Sequence, residues 1–133
     1  MPAQTASEEA PTVVVVDDDP SICRALKTQL EILGFQVRVF RDAESLLELE
    51  VPSSNGCFLI DIYLPGMSGA DLCLQLKQMN SNPIILMSGR HDVRTLKLMR
   101  ESRPIAKLFK PFDQTSLLRA IRKALSGRLK PRG

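Results

Sequence analysis

Val13-Val14-Val15-Val16-Asp17-Asp18-Asp19-Pro20 is the stretch from which the rest of the chain can be read. Four β-branched residues in a row make a strand buried on both faces, the habit of a parallel sheet. The run stops at three acids and a proline. Pro20 fits the first turn of a helix and Asp19 fits its N-cap. Ile22, Leu26, Leu30 and Leu33 then recur at helical spacing, and Gly34 closes the helix. A buried strand feeding an amphipathic helix is the opening of a βα unit.

The same pairing recurs downstream. Phe35 to Phe40 alternates apolar and polar, a second strand. Asp42 to Glu50 is a short helix with Asp42 as cap, and Pro52 to Gly56 is a loop. Cys57 to Ile60 is an apolar strand ending at Asp61. A loop with Pro65 and Gly66 leads to a helix whose face is Ala70, Leu72, Cys73, Leu76 and Met79. After a loop at Asn80 to Pro83, Ile84 to Met87 is a fourth strand ending at Ser88-Gly89. A helix from Asp92 to Glu101 and a fifth strand from Ile105 to Phe109 follow, the latter weakened by Lys107. Asp113 caps a last helix with Leu117, Leu118, Ile121 and Leu125 on one face. Five strands alternating with five helices over short connections define the α/β class: a (βα)5, doubly wound, five-stranded parallel sheet covered on both sides. Residues 1–11 read as a flexible leader, 12–126 as one domain and 127–133 as a basic tail, too short for a helix-turn-helix module.

Composition supports this. The 133 residues are 44% hydrophobic and 25% charged, which suits a packed globular domain and not a disordered chain. No uninterrupted hydrophobic run exceeds four residues, which excludes a membrane-spanning helix and a signal-peptide core. A cytoplasmic location is the default, and no membrane partner is expected. Cys23, Cys57 and Cys73 lie in apolar stretches and read as small core residues, not disulfides or zinc ligands. Charge is divided: residues 1–89 carry 5 Lys/Arg against 12 Asp/Glu, and residues 90–133 carry 13 against 3. A basic face that meets an acidic partner is the sharper reading. Direct nucleic-acid binding is not expected, because the basic half has no Trp or Tyr on which bases could stack.

In open parallel sheets the chemistry lies past the carboxyl ends of the strands. Those ends carry Asp17 and Asp18, Asp61, Ser88 and Lys110. Were the first and third strands neighbours, three carboxylates would converge and their repulsion would call for a cation. Hard oxygen ligands suit Mg²⁺. Lys110 adds a positive charge and Ser88 a hydroxyl donor, so the set makes a site for a phosphoryl group, with Asp61 as nucleophile. Taken singly, each residue is ordinary at a strand end. Asp19 reads as a cap before a ligand, and His91 as a surface residue. The co-occurrence of complementary groups at four of five strand ends carries the argument.

The ordered set Val-Val-Val-Val-Asp17-Asp18, Leu-Ile-Asp61-Ile-Tyr-Leu-Pro65-Gly-Met-Ser-Gly69, Ile-Ile-Leu-Met-Ser88-Gly and Lys110-Pro111-Phe112 resembles a bacterial response-regulator receiver domain. The likeness covers residues 12–126, and Met87 to Val93 with the spacing on to Lys110 looks most like FixJ-type receivers. The resemblance implies the flavodoxin- or CheY-like strand order 2-1-3-4-5. It implies that Asp61 accepts a phosphoryl group from a sensor histidine kinase or phosphotransfer protein. It implies Mg²⁺ held directly by Asp18 and Asp61, through water by Asp17, and by the backbone carbonyl of Tyr63. Lys110 would pair with the phosphoryl group, its bond to Pro111 would be cis, and Ser88 would turn toward the phosphate. A downstream protein would be met on the face of the fourth helix, fifth strand and fifth helix, and a homodimer could form on phosphorylation. Two departures fall on that face: Lys107 stands where the family usually has Tyr or Phe, and Arg103-Pro104-Ile105-Ala106 replaces the usual Gly-Ala.

Two other readings compete. A haloacid-dehalogenase-like phosphatase would use Asp17 and Asp19 after the first strand, but would give Asp61 no work and would find only Asp113, better read as a helix cap, after Lys110. The domain could also serve as a binding module independent of phosphorylation.

Overall fold

The structure is a computed structural model that describes residues 10–49, 55–79 and 82–128. Its elements are β1 (Thr12–Val16), α1 (Pro20–Ile32), β2 (Gln36–Phe40), α2 (Ala43–Glu48), β3 (Gly56–Asp61), α3 (Gly69–Met79), β4 (Ile84–Ser88), α4 (Val93–Ser102), β5 (Ala106–Phe109) and α5 (Gln114–Arg128). Every strand pair is parallel and the order is β2-β1-β3-β4-β5.

Local chemistry starts each helix. Asp19, Asp42, Asp92 and Asp113 accept backbone N–H bonds from Ser21, Ser45, Thr95 and Ser116. Ser68 does the same for Asp71 at the head of α3. Past Leu33, Gly34 takes φ +102°, a conformation that glycine reaches without a Cβ penalty.

The period of two along each strand then sorts side chains into two cores. Val13 and Val15 pack with Leu26 and Leu30 of α1 and with Leu117 and Ile121 of α5. Val14 and Val16 face the other way, among Leu46 of α2, Leu72 and Leu76 of α3 and Met99 of α4. Each such large apolar side chain, once buried, contributes roughly 1.5–3 kcal/mol. β3 and β4 are buried along their whole length, which is why they read as unbroken apolar runs. β2 and β5 are the sheet edges, so they alternate, and Lys107 is tolerated on β5 because that position is exposed.

Some expectations shift. Met79 is 51% exposed and leaves the α3 core face to Leu72, Cys73 and Leu76; it is the last helical residue, past the reach of the sheet. α5 continues through Gly127 to Arg128, two residues into the expected tail. The leader before residue 10, most of the Pro52–Gly56 loop, residues 80–81 and the tail after residue 128 lie outside the described residues, while Gly56 itself opens β3.

Arg103, the residue after α4, has φ 55° and ψ 55°. A side chain in this left-handed region costs about 1 kcal/mol. Lys77 holds the turn: its Nζ donates to the carbonyls of Ser102 at 2.8 Å and Arg103 at 2.9 Å, a cation at the negative end of a helix. Arg103→Gly removes the strain and loses part of the gain to greater unfolded-chain freedom, so the variant is stabilised by about 0.5 kcal/mol. The urea midpoint should rise at constant slope; a fall would show that the arginine side chain contributes more than its backbone costs.

Candidate functional site

Sheet register builds the site. Val16 lies beside Ile60, so the next residues, Asp17 and Asp61, end adjacent strands side by side. Asp61 lies beside Met87, which puts Ser88 one step beyond, and Ser88 lies beside Phe109, which delivers Lys110 to the same edge. The Lys110 N–H donates to the Ser88 carbonyl at 2.8 Å and continues the ladder. The Lys110–Pro111 bond is cis.

Lys110 joins the two acids. Its Nζ donates to Asp17 Oδ2 at 2.7 Å and to Asp61 Oδ2. The other oxygens are held by the main chain: Asp17 Oδ1 accepts from the Asp19 N–H at 2.9 Å, and Asp61 Oδ1 from the Tyr63 N–H at 2.8 Å. Burial pushes the Asp61 carboxyl above its ordinary value, against the pull of Lys110 and the Tyr63 N–H; the Asp17 charge adds to the rise. Burial alone would lower Lys110, but its two carboxylate partners outweigh that and raise it.

Two carboxylates, not three, meet at the ammonium. Asp18 is exposed at the same strand end and takes no part in these bonds, and among the described residues no three Asp, Glu, His or Cys side chains form a metal cage. Lys110 explains this, since its charge already satisfies the buried pair. Mg²⁺ needs only one or two carboxylates, completed by carbonyls, waters and phosphate oxygens, and the carboxylates of Asp18 and Asp61 and the Tyr63 carbonyl are oxygen donors of that chemical kind.

Ser88 is fully buried and its Oγ accepts from the Arg90 N–H at 2.9 Å. Three contacts escaped the sequence reading. The Arg90 guanidinium lies 4.3 Å from the centre of the Tyr63 ring. The Tyr63 hydroxyl lies 2.6 Å from Oγ1 of Thr95, which is fully buried. Cys23 donates its thiol to the Asp17 carbonyl at 3.1 Å. No spacing rule signals the first two, because they join different βα units; the third lies within the first βα unit. The three cysteines are buried and free, as expected, and burial pushes the Cys57 thiol up to about 12. His91 is exposed and packs edge-on against Phe109, ring centres 4.9 Å apart. Asp19 is spent as a cap, which removes one of the two acids the phosphatase reading needs.

Strand order reverses between β1 and β3, and ligands of open α/β sheets bind outside the carboxyl ends at such a switch point. The molecule is therefore a doubly wound α/β protein of the flavodoxin-like class, with its polar cluster at that point. Within the class, the chain belongs to the response regulator receiver domains, whose family model matches residues 13–122. It is 33% identical over 129 residues to the response regulator protein TodT of Pseudomonas putida, covering 93% of this chain and 57% of TodT. To the transcriptional regulatory protein FixJ of Bradyrhizobium diazoefficiens it is 32% identical over 114 residues, covering 85% of this chain and 56% of FixJ. Among solved structures, FixJ-N superposes with a TM-score of 0.79 at 29% identity, over 87% of this chain and 94% of that one. The response regulator StyR gives a TM-score of 0.78 at 36% identity, over 91% and 62%. The chain thus spans 57% of the length of TodT, little more than half. It is a receiver domain of two-component signalling, and no helix among its described residues is long and apolar enough to cross a membrane.

Proposed function

We propose that Asp61 accepts a phosphoryl group from the phosphohistidine of a sensor histidine kinase or phosphotransfer protein, and that residues 12–126 form the unit that does so. The observation that carries the reading is Lys110 bridging Asp61 and Asp17, with the buried Ser88 hydroxyl on the neighbouring strand. A carboxylate oxygen of Asp61 attacks phosphorus as the P–N bond breaks. The bonding pair leaves with the imidazole nitrogen, which ends protonated, and Asp61 becomes an acyl phosphate. Lys110 favours the ionised form of the nucleophile against its burial, then pairs with the phosphoryl oxygens. Ser88 donates its hydroxyl to one of them. Receiver domains generally bind Mg²⁺ at their acidic pocket; here Asp18, Asp61 and the Tyr63 carbonyl would hold it, with Asp17 acting through water, and the ion would neutralise charge on the transferred group. Water later returns the acyl phosphate to carboxylate and phosphate, so the domain is a timed switch and not an enzyme acting on a separate substrate.

The response would be read on α4, β5 and α5, by a downstream protein or by a second copy of the chain. Arg94, Lys97 and Arg100 on α4 are exposed, as are Lys107, Arg119 and Lys123. The last three rim a groove of about 720 Å³ floored by Ile105, Leu108 and Phe112, which suits an acidic partner with an apolar anchor. A cytoplasmic location fits a kinase as donor. The test is intact mass after exposure to Mg²⁺ and acetyl phosphate: one phosphoryl group is gained, it maps to Asp61, and chelation of the metal prevents it. A chain that stays unlabelled removes the proposal and leaves the fold untouched.

A further inference from the structure

We infer that the Tyr63–Thr95 hydrogen bond is a latch that passes the state of Asp61 to the first turn of α4. The inference rests on the phosphorylation reading above and concerns how that site is coupled to its output face. Two inputs from the site converge on Tyr63. The Tyr63 N–H is bound to Asp61 Oδ1 at 2.8 Å, so any change in that carboxylate acts directly on the Tyr63 backbone. The Tyr63 ring lies under the Arg90 guanidinium at 4.3 Å, and the Arg90 N–H is bound to Ser88 Oγ at 2.9 Å. The two groups a phosphoryl would engage, Asp61 and Ser88, are each one hydrogen bond from the Tyr63–Arg90 pair.

An output leaves it toward α4. The Tyr63 hydroxyl meets Thr95 at 2.6 Å, and Thr95 sits in the first turn of α4 with its own N–H capped by Asp92 at 3.1 Å. Thr95 is fully buried while its helical neighbours Arg94 and Leu96 are exposed, so its hydroxyl faces inward, where it meets Tyr63. Lys107, exposed on β5, cannot supply an aromatic link to the site, and Tyr63 is the sole tyrosine of the chain. Phosphorylation of Asp61 moves negative charge from its carboxylate to the phosphoryl oxygens and draws the Ser88 hydroxyl away from the Arg90 N–H. Both changes displace Tyr63, break its bond to Thr95 and free the start of α4. Linkage makes the device reciprocal: a partner that prefers the freed α4 also favours the phosphorylated state.

Hydrogen exchange of the amides of residues 93–102 reads the latch in the whole chain, with Mg²⁺ and acetyl phosphate as donor. In the wild type, phosphorylation speeds exchange in the first turn of α4 by about two- to tenfold, the worth of one hydrogen bond. Thr95→Val keeps the shape and removes the hydroxyl. Its unphosphorylated α4 exchanges like the phosphorylated wild type, and phosphorylation adds under about twofold, although Asp61 still takes one phosphoryl group. Thr95→Ser restores the wild-type response. Tyr63→Phe keeps the ring under Arg90 and loses the response as well, and it carries the test if Thr95→Val does not fold. A full α4 response in either hydroxyl-free variant overturns the latch alone. A wild type that is not labelled overturns the receiver chemistry and the latch together.

Discussion

Asp61→Asn takes no phosphoryl group from acetyl phosphate and Mg²⁺ while remaining folded, a loss of about a thousandfold or more in labelling rate. The amide lacks the oxygen nucleophile. Asp17 does not stand in, because it is fully buried whereas Asp61 keeps some exposure. Intact mass and peptide mapping decide the matter, and labelling of the variant at the wild-type rate would move the nucleophile elsewhere. Stability changes in the opposite sense. The folded chain raises Asp61 above its unfolded value, so folding disfavours the ionised form. The contribution of this group is complete below the ordinary carboxylate pKa and is lost as pH rises through the higher folded value. At neutral pH the wild type bears that cost and the asparagine variant does not. The variant should therefore melt higher at pH 7, and the gap should close toward acid. Lys110 sets the alkaline limit: its raised value means that its stabilisation holds below its unfolded pKa and is lost above the folded one. A variant melting below the wild type at neutral pH would mean that the Asp61–Lys110 pair outweighs the burial of the carboxylate.

Gly69→Ala costs about 3 kcal/mol or more. Inside a helix, alanine ordinarily gains up to about 1 kcal/mol over glycine, so propensity alone predicts the opposite sign. Here a Cβ would stand 2.1 Å from the Asp61 carbonyl oxygen, 2.7 Å from Ile62 Cα and 2.9 Å from the Asp61 carbonyl carbon. All three are backbone atoms, and no rotamer change relieves them. The Gly69 N–H also donates to the Ile62 carbonyl at 2.9 Å, so α3 begins against the end of β3. Relief requires the strand end to move, and Asp61 moves with it. The urea midpoint should drop sharply and labelling of the remaining folded protein should slow; an unchanged midpoint would show that the β3–α3 corner gives more easily than its contacts imply.

The two substitutions differ in how visible their reasons were. Asp61 stood out because a buried apolar run ended in an acid, and the same logic picked Asp17, Ser88 and Lys110. Gly69 belonged to a quoted motif, but the sequence holds no trace of the carbonyl its missing Cβ makes room for. Met79 was misjudged because helical spacing marks a face without marking where the sheet beneath it ends. Asp18 was grouped with Asp17 on adjacency, whereas Lys110 reaches only one of the pair. Nothing in the sequence marks Thr95, because its hydroxyl contact spans 32 positions and exists only in the fold.

What the chain alone determined is what short-range physics governs: the five apolar strand runs, the Asp caps that start four helices, and the polar groups left where four of the five strands stop. Those follow from steric and hydrogen-bond preferences over a few neighbouring residues. Tertiary structure decided which of those polar residues meet, because strand order and register are settled by burying two cores on a twisted sheet. A one-residue slip of β3 against β1 would leave every local preference satisfied, yet would part Asp17 from Asp61 and exchange the β3 side chains between the two cores.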